Sequence, residues 1–157
     1  MSGLFLFLIV FHTTSMKIPA IIIFTVAWFG GFTQTSAIGK WVSIDENSGE
    51  EKSIVEIFER SGKVFGKVVK LFPRPGKDPD PVCNECPSDD GRFKKKIIGM
   101  EILKDMVKSD DGYEDGDILD PETGKIYRCK IWLEDGMLKV RGYWGPFYRT
   151  QTWKHAN

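Results

Sequence analysis

The sequence predicts an all-β domain folded as an antiparallel up-and-down barrel of about eight strands. After residue 37, apolar and polar side chains alternate with a period of two, as in strands that bury one face. No segment of that part has the helical pattern of about ten residues that a crossover between parallel strands needs. A meander of antiparallel strands exposes two edges unless it closes on itself, so we expect a closed barrel.

Short turns join several of the predicted strands. Ser61-Gly62, residues 120–124 and Glu134-Asp135-Gly136 combine glycine with small or acidic residues, which is the composition of hairpin turns. Sequential hairpins follow from this spacing. The predicted strands are Lys40 to Ile44, Ser53 to Glu59, Lys63 to Phe72, Ile97 to Leu103, Gly116 to Leu119, Lys125 to Leu133, Met137 to Tyr143 and Phe147 to Trp153.

The alternation in the sixth and seventh strands predicts which face points inward. The apolar sets are Tyr127, Cys129, Ile131 and Leu133 in the sixth strand, and Leu138, Val140, Gly142 and Trp144 in the seventh. The interior of an eight-stranded barrel either fills with side chains or holds one small ligand. The residues that we expect to line or fill it are Phe58, Val68, Tyr127, Ile131, Leu138 and Val140. Core packing is the alternative role for each of them.

Two glycines, Gly66 and Gly142, fall inside predicted strands. A glycine within a strand usually marks a bend, a bulge or a close approach of another group. We favour strand coiling at the barrel corners over room for a ligand as their role.

The first 37 residues are predicted to be a secretory leader. Two apolar stretches, Leu4 to Phe11 and Ile18 to Phe29, flank a polar patch that contains Lys17, and a run of small polar residues ends at Ala37. We expect cleavage after Ala37, and Met16 is an alternative start of translation. Neither stretch has the roughly eighteen apolar residues of a membrane-spanning helix, so we expect no permanent membrane span in the mature chain.

Residues 38–157 are long enough for one domain with one core. Lys17 is the only charged residue before Ile38, so this part carries one more acidic than basic side chain. That balance favours neither nucleic acid nor an anionic membrane surface as a partner. No pattern in the sequence selects an oligomeric state.

The side chains of an acid/base enzyme are scarce in the mature chain. A catalytic base is usually a histidine or a buried carboxylate, and the only histidine after residue 37 is His155, in the predicted solvated tail. The acidic residues between 110 and 117 lack the spacing of a calcium loop, so we favour a solvated turn. Arg141 is expected on the outer face, paired with a carboxylate. We therefore expect that the protein is not an enzyme.

Two cysteines, Cys83 and Cys86, lie in a loop of about two dozen residues between Phe72 and Ile97. Five prolines stiffen this loop, and we expect an ordered flap across one mouth of the barrel. In an oxidising compartment the default is a disulfide, either within Cys83-x-x-Cys86 or from one of them to Cys129. No cofactor is expected, and a zinc site formed by the three cysteines and His155 is the minority alternative.

Both ends of the mature chain resemble lipocalins and their calycin relatives. Gly39-Lys40-Trp41 begins the first strand, and Arg149 lies on the last one. In lipocalins a Gly-x-Trp motif starts the first strand, and a late arginine packs over that tryptophan to close the floor of the barrel. The resemblance implies this closing role for Trp41 and Arg149.

A second resemblance covers nearly the whole mature chain. Its matching residues are Gly39, Trp41, Gly66, Val68, Asp78, Asp80, Pro81, Ile98, Gly99, Asp120, Pro121, Gly124, Tyr127, Leu138, Val140, Arg141, Gly142 and Arg149 to Trp153. In this order they are similar to the domain-of-unknown-function 2147 family, small secreted bacterial proteins with a lipocalin-like fold. Cys83-x-x-Cys86 with Cys129 resembles the branch of that family found in Bacteroidetes. Residues 145–148 depart from the pattern, because relatives often carry a glycine just before the Arg-Thr-Gln run.

The resemblance implies an exported protein, in the periplasm of a Gram-negative bacterium or outside the cell. By analogy it implies a carrier of a small apolar or amphipathic molecule. The alternative function is a structural or protein-interaction domain of the cell envelope with a filled barrel and an exposed aromatic patch of Trp132, Tyr143, Trp144 and Tyr148. The volume of the interior distinguishes the two functions.

Overall fold

The computed structural model describes residues 36–72 and 74–156. The predicted leader, apart from Ser36 and Ala37, and the alternative start at Met16 lie outside the described residues. Within the described ranges, no helix is long and apolar enough to cross a membrane.

Eight strands form one antiparallel sheet in sequence order. Each strand pairs with the next, and the last pairs with the first, so the sheet closes into a barrel. This confirms the predicted all-β up-and-down barrel. The strands are β1 (Gly39–Ile44), β2 (Glu51–Arg60), β3 (Lys63–Leu71), β4 (Glu101–Ser109), β5 (Gly112–Asp120), β6 (Lys125–Glu134), β7 (Met137–Trp144) and β8 (Phe147–His155).

The connections define two ends of the barrel. The lower end carries the turns at 61–62, 110–111 and 135–136 together with residues 36–38 and 156. The upper end carries the loop 45–50, the long loop 72–100 and the turns 121–124 and 145–146. The predicted turns after β2, β5 and β6 are confirmed, and Ser61, Gly62, Asp135 and Gly136 all have positive φ.

The predicted fourth strand was placed too early. Ile97 to Met100 form a turn in which Gly99 has φ 90° and the amide of Met100 donates to the carbonyl of Ile97 over 3.0 Å. The strand itself begins at Glu101. Positive φ at Asp105 and Asp115 breaks the alternation in β4 and β5, which is why their charged halves were not recognised as strands.

Large apolar side chains fill the lower half of the barrel. Buried residues there include Ile57, Val64, Met106, Ile131 and Leu138, each less than 2% exposed. Of the predicted inward sets of β6 and β7, Cys129, Ile131, Leu138 and Val140 are buried. The prediction is wrong for Trp144, which is 73% exposed where β7 ends.

The barrel closes at a short seam between β1 and β8. Trp41 lies opposite His155, and Val42 opposite Lys154. Trp41 is fully buried, and its Nε1–H donates to the carbonyl of Ala37 over 2.8 Å. Its ring and that of His155 form a T-shaped pair with centroids 5.2 Å apart. His155 therefore belongs to the last strand and not to a solvated tail.

The expected stacking of Arg149 on Trp41 does not form. The seam places Trp41 opposite His155, and Arg149 lies six residues earlier on β8, about 20 Å away along the strand. The Arg149 side chain is instead 65% exposed at the upper end and forms an ion pair with Glu46. Trp41 closes the lower end without an arginine over it.

Gly66 and Gly142 differ in what surrounds them. A Cβ at Gly66 would lie 2.8 Å from Cδ1 of Leu103 and 2.9 Å from Cδ1 of Ile57, so neighbouring side chains already occupy the space. A Cβ at Gly142 would lie 3.4 Å from Cβ of Tyr127 and 3.8 Å from Cγ2 of Ile118, which is ordinary contact. Gly66 permits close packing, whereas Gly142 leaves space.

This difference predicts that alanine destabilises the fold at Gly66 but not at Gly142. Gly66→Ala should lower the free energy of unfolding by about 1–3 kcal/mol, because the core must shift to admit the methyl group. Gly142→Ala, the matched control, should leave stability unchanged or raise it by about 0.5 kcal/mol. Urea denaturation of both variants measures the effects. Equal stabilities would show that β3 has room at Gly66.

Candidate functional site

A cavity of about 840 Å³ occupies the upper part of the barrel. It lies between the barrel wall and residues 72–100, which we call the flap. This volume lies within the range of about 300–1,000 Å³ that is typical of small-molecule sites. The apolar side chains that line it include Ile44, Val68, Leu71, Phe72, Ile97, Ile102, Ile118, Leu119, Val140 and Trp153.

The cavity exists because inward-facing side chains become smaller towards the upper end. From the lower end upwards, the inward residues of β7 are Leu138, Val140 and Gly142, and those of β2 are Ile57, Val55 and Ser53. The barrel is therefore filled below and open above.

Five of the six predicted interior residues face the barrel interior, at two levels. Val68, Tyr127 and Val140 line the cavity. Ile131 and Leu138 are fully buried below it, in the packed half. Val68, Tyr127 and Val140 can therefore contact a ligand in the cavity. Ile131 and Leu138 cannot, and they pack the core.

Phe58 does not face the interior. It is partly exposed and alternates along β2 with the buried Val55 and Ile57. Its ring stacks on Phe65 at 6.0 Å on the outer wall, and the guanidinium of Arg60 lies over both rings. The alternation already contained this information, because Phe58 is out of phase with the inward set.

Polar groups that the sequence interpretation missed lie among the apolar ones. The buried hydroxyls of Ser43 and Ser53 are hydrogen-bonded to each other at 2.6 Å, and both residues line the cavity. Gln151 accepts a hydrogen bond from Nε1 of Trp153 over 3.1 Å. Neither the Tyr127 hydroxyl nor the Gln151 amide nitrogen has a hydrogen-bond partner in the described part of the chain, so both can donate to a ligand. These polar cavity residues could have been predicted from the sequence, because small and polar residues occupy inward positions of the strands.

The flap carries a disulfide between Cys83 and Cys86, with Cα atoms 5.4 Å apart. Of the two pairings left open by the sequence, the local one forms. Cys129 is a buried free thiol on β6, and burial, with a smaller contribution from the Asp117 carboxylate, raises its pKa well above the ordinary value. The zinc alternative needs Cys83 and Cys86 as thiolates, which the disulfide does not supply.

A hydrogen bond from Arg92 joins the second half of the flap to β4, and a largely buried ion pair within the flap orients Arg92. Arg92 donates to both carboxylate oxygens of Asp90, over 2.8 and 2.6 Å, and its Nη1 donates to the carbonyl of Glu101 over 3.2 Å. Hydrogen bonds from Arg92 outweigh burial and lower the pKa of Asp90 to about 2. Asp90 therefore stays ionised at any ordinary pH.

The disulfide segment also packs on the turn between β5 and β6. Sγ of Cys83 lies 3.4 Å from the carbonyl oxygen of Pro121. A Cβ at Gly124 would overlap the carbonyl of Glu85, so only glycine admits this contact. The flap and the turn after β5 thus form one wall of the cavity.

Ion pairs cross the mouth of the cavity. Glu122 accepts hydrogen bonds from Arg74 of the flap and from Lys52 of β2, the latter over 2.9 Å, and Glu46 pairs with Arg149. Burial raises the pKa of Glu122, but its hydrogen bonds outweigh that effect and the net pKa is lowered. Glu122 therefore carries its charge at neutral pH and connects the flap to the barrel.

Exposed aromatic side chains stand beside the mouth. Trp144, Phe147 and Tyr148, at the hairpin between β7 and β8, are 73%, 69% and 62% exposed and line the rim of the cavity. The centroids of the Trp144 and Phe147 rings are 6.4 Å apart. These residues form an apolar part of the rim.

Arg141 lies on the outer wall as predicted, but the prediction that it pairs with a carboxylate is wrong. Its guanidinium lies over the rings of Trp132 and Tyr148, at 4.8 and 4.3 Å from their centroids. Nε of Arg141 donates to the hydroxyl of Thr150 over 2.7 Å. Cation–π contacts therefore hold this side chain.

The acidic residues between 110 and 117 lie at the lower end, away from the cavity. Asp111 and Glu114 pair with Lys130, and Asp115 pairs with Arg128. In the described part of the chain, no group of three or more His, Cys, Asp or Glu residues could hold a metal ion.

Comparison with known proteins identifies the family. The model of a bacterial family described as an uncharacterized protein conserved in bacteria (DUF2147) matches residues 39–155. The chain belongs to this family. No curated protein gives a significant match.

A solved structure shares the fold. The Helicobacter pylori protein HP1028, described as belonging to the lipocalin family, is similar with a TM-score of 0.63 and 22% sequence identity. The similarity covers 76% of this chain and 82% of the other. The barrel is therefore lipocalin-like, as the resemblance of Gly39-Lys40-Trp41 implied.

The disulfide and the buried thiol predict how the three cysteines react. In the native protein no thiol should react with iodoacetamide, because Cys129 is buried and protonated. One thiol should react after unfolding without reductant, and three after reduction. Mass spectrometry counts the adducts. Three reactive thiols before reduction would contradict the disulfide.

The buried ion pair predicts a pH dependence of stability. The pKa of Asp90 falls from 3.8 to about 2 on folding, so its ionised form stabilises the fold above pH ~4, and this stabilisation is lost as the pH falls through about 2. Asp90→Asn should therefore lower the free energy of unfolding by about 2 kcal/mol at pH 7, and the difference should close as the pH falls to about 2.

Urea denaturation between pH 2 and pH 7 measures this difference. Asp105→Asn is the matched control, because Asp105 forms an exposed pair with Lys63 at 3.0 Å and such pairs contribute about 0–1 kcal/mol. A difference for Asp90→Asn that stays constant with pH would show that ionisation is not its source.

Proposed function

We propose that this protein binds a small apolar or amphipathic ligand in the cavity at the upper end of its lipocalin-like barrel, without chemical conversion. The observation that supports this most directly is the cavity of about 840 Å³ beneath the flap. Its apolar wall would exclude water from the ligand, and each buried methylene group would contribute about 0.8 kcal/mol to binding.

The polar groups of the cavity would orient an amphipathic ligand. The Tyr127 hydroxyl and the Gln151 amide could donate to a polar group of the ligand within the barrel. The ion pairs of Glu122 and Glu46 lie at the mouth, where a head group would meet water. A chain-like molecule with its apolar end towards Trp153 fits this distribution.

Several features support a role in binding over one in catalysis. Among the residues that the structure describes, neither a histidine nor a free cysteine lines the cavity. Of the carboxylates at the mouth, Asp45 has its pKa lowered, chiefly by backbone hydrogen bonds from Ser48 and Asn47, and the pKa of Glu122 is also lowered. A carboxylate with a lowered pKa is a weak base at neutral pH, so neither is suited to general-base catalysis.

The alternative function, a structural or interaction domain of the cell envelope, assumed a filled barrel. The upper part of this barrel is not filled, which favours ligand binding. The exposed rim of Trp144 and Tyr148 remains consistent with a surface contact in either function.

We also propose that the protein acts in the periplasm of a Gram-negative bacterium or outside the cell. The disulfide Cys83–Cys86 supports an oxidising compartment. The apolar stretches before residue 30 in the sequence support export.

Native mass spectrometry of the protein purified from its own host tests ligand binding. We expect one bound molecule per chain, which is released on denaturation. A second measurement uses Gly142→Leu. Its Cβ would make ordinary contact with Tyr127 and Ile118, and its longer side chain should extend into the cavity. This variant should lose about 90% or more of the bound mass, because a filled pocket excludes the ligand, and its melting temperature should be unchanged or higher.

Gly91→Leu is the matched control. Gly91 is exposed and lies outside the cavity, and a Cβ at this position would have no other residue's atom within 4 Å. It should retain the full bound mass. A bare wild-type chain, or equal occupancy in wild type and Gly142→Leu, would exclude the cavity as the binding site.

A further inference from the structure

The three most exposed large apolar side chains of the described residues lie at one end of the β7–β8 hairpin. Trp144 and Phe147 pair across the hairpin, and Tyr148 alternates to the other face, beside Tyr143. Trp144, Phe147 and Tyr148 surround the turn Gly145-Pro146 and are 73%, 69% and 62% exposed, whereas no other large apolar side chain exceeds 43%. Single exposed apolar residues are ordinary on protein surfaces, but a contiguous aromatic group usually marks a contact surface. We call these three residues the aromatic tip.

Cations accompany the aromatic tip. Nζ of Lys125 lies 6.0 Å from the centroid of the Trp144 ring, and the guanidinium of Arg141 lies 4.3 Å from that of Tyr148. Neither cation forms an ion pair with a carboxylate in the described part of the chain, so both charges can interact with an external anion. Tryptophan and tyrosine flanked by basic side chains have the composition of membrane-interface segments.

The tip is the end of the β7–β8 hairpin, and each of its residues is at least 62% exposed. A flat and deformable surface could therefore contact their rings without a complementary pocket. The same residues line the rim of the cavity. A bilayer that took up the tip would therefore lie against the opening through which an apolar molecule reaches the barrel.

We propose that the aromatic tip docks on a phospholipid bilayer with anionic head groups and holds the mouth of the cavity against its surface. Trp144 and Phe147 enter the boundary between head groups and acyl chains, while Lys125 and Arg141 contact lipid phosphates. The chain carries nearly balanced charge, so the attraction comes from this local group and not from the whole protein. Docking of this kind does not require a bound ligand and goes beyond the proposed function.

The first experiment locates the tip in the bilayer. The protein as processed by its own host is mixed with phosphatidylglycerol–phosphatidylcholine vesicles whose acyl chains carry bromine, which quenches tryptophan at short range. Wild type should be quenched, and Trp144→Phe should lose most of the quenching while still binding the vesicles. Equal quenching in the two proteins would overturn the proposal, because Trp144 would then not reach the acyl chains.

The second experiment measures affinity by vesicle flotation. Trp144→Ser/Phe147→Ser should bind about tenfold or more weakly, since each aromatic ring loses its apolar burial. Lys125→Glu should weaken binding to anionic vesicles and leave the weaker binding to pure phosphatidylcholine unchanged. The matched control is Val107→Ser, which removes a 43% exposed apolar side chain from the opposite end of the barrel. Unchanged affinity of the double variant would overturn the proposal.

A second copy of the chain is the competing occupant of the tip. Sedimentation velocity of the wild type at micromolar concentration should show a monomer. A dimer that Trp144→Ser/Phe147→Ser converts to monomers would assign the tip to self-association and overturn the proposal. Trp144→Ser/Phe147→Ser and Lys125→Glu change exposed side chains only, so the circular dichroism spectra of both variants should match that of the wild type.

The docking test and the ligand test have separable outcomes. Gly142→Leu should bind vesicles as wild type does, because Gly142 lies inside the barrel wall. Loss of ligand in that variant with intact docking would support both proposals. Docking without any bound mass in the wild type would support the bilayer contact alone.

Discussion

The short seam between β1 and β8 is the constraint on which the rest of the structure depends. It closes the barrel, removes both sheet edges and buries Trp41. Only Trp41 and Val42 of β1 pair with β8, whereas the hairpin pairs β2–β3 and β7–β8 extend over most of their length. Above the seam the two strands separate, and the ion pair between Glu46 and Arg149 crosses the gap. The cavity opens at this end because the barrel is closed only at the other.

The same strands build both the packed half and the open half. On β7 the inward series Leu138, Val140, Gly142 shrinks towards the upper end, and on β1 Trp41 is followed by Ser43 at the next inward position. Packing below supplies the stability that an open interior above does not. A leucine at position 142 would extend the packed half at the expense of the cavity. The cavity therefore depends on small residues at the upper inward positions. Close packing in the lower half depends on Gly66, where Leu103 and Ile57 leave no space for a side chain.

Much of the fold could be predicted from the sequence because strand periodicity and turn composition are local signals. The number of strands, the bounds of most of them and the turns after β2, β5 and β6 follow from residues adjacent in the chain, whereas β4 and the first half of β5 did not. The β1–β8 register joins the two ends of the domain, and no local pattern contains it. The expected position of Arg149 over Trp41 came from the lipocalin resemblance, and the register instead places Arg149 about 20 Å from Trp41 along β8. The cavity could have been inferred in part, since alternate residues of β2 and β7 decrease in size in the direction of the upper end.

The flap combines two halves that differ in how firmly they are held. Residues 83–100 carry the disulfide, the buried pair of Asp90 with Arg92 and the contact of Glu85 with Gly124. Residues 74–80 are mostly exposed and connect to the rest of the protein through Arg74 with Glu122 and Asp80 with Lys96. Exposed ion pairs contribute about 0–1 kcal/mol each, whereas breaking a buried pair costs several times more. Displacing residues 74–80 is therefore the least costly way to widen the mouth, and the cavity wall built by the disulfide segment can stay in place while it happens.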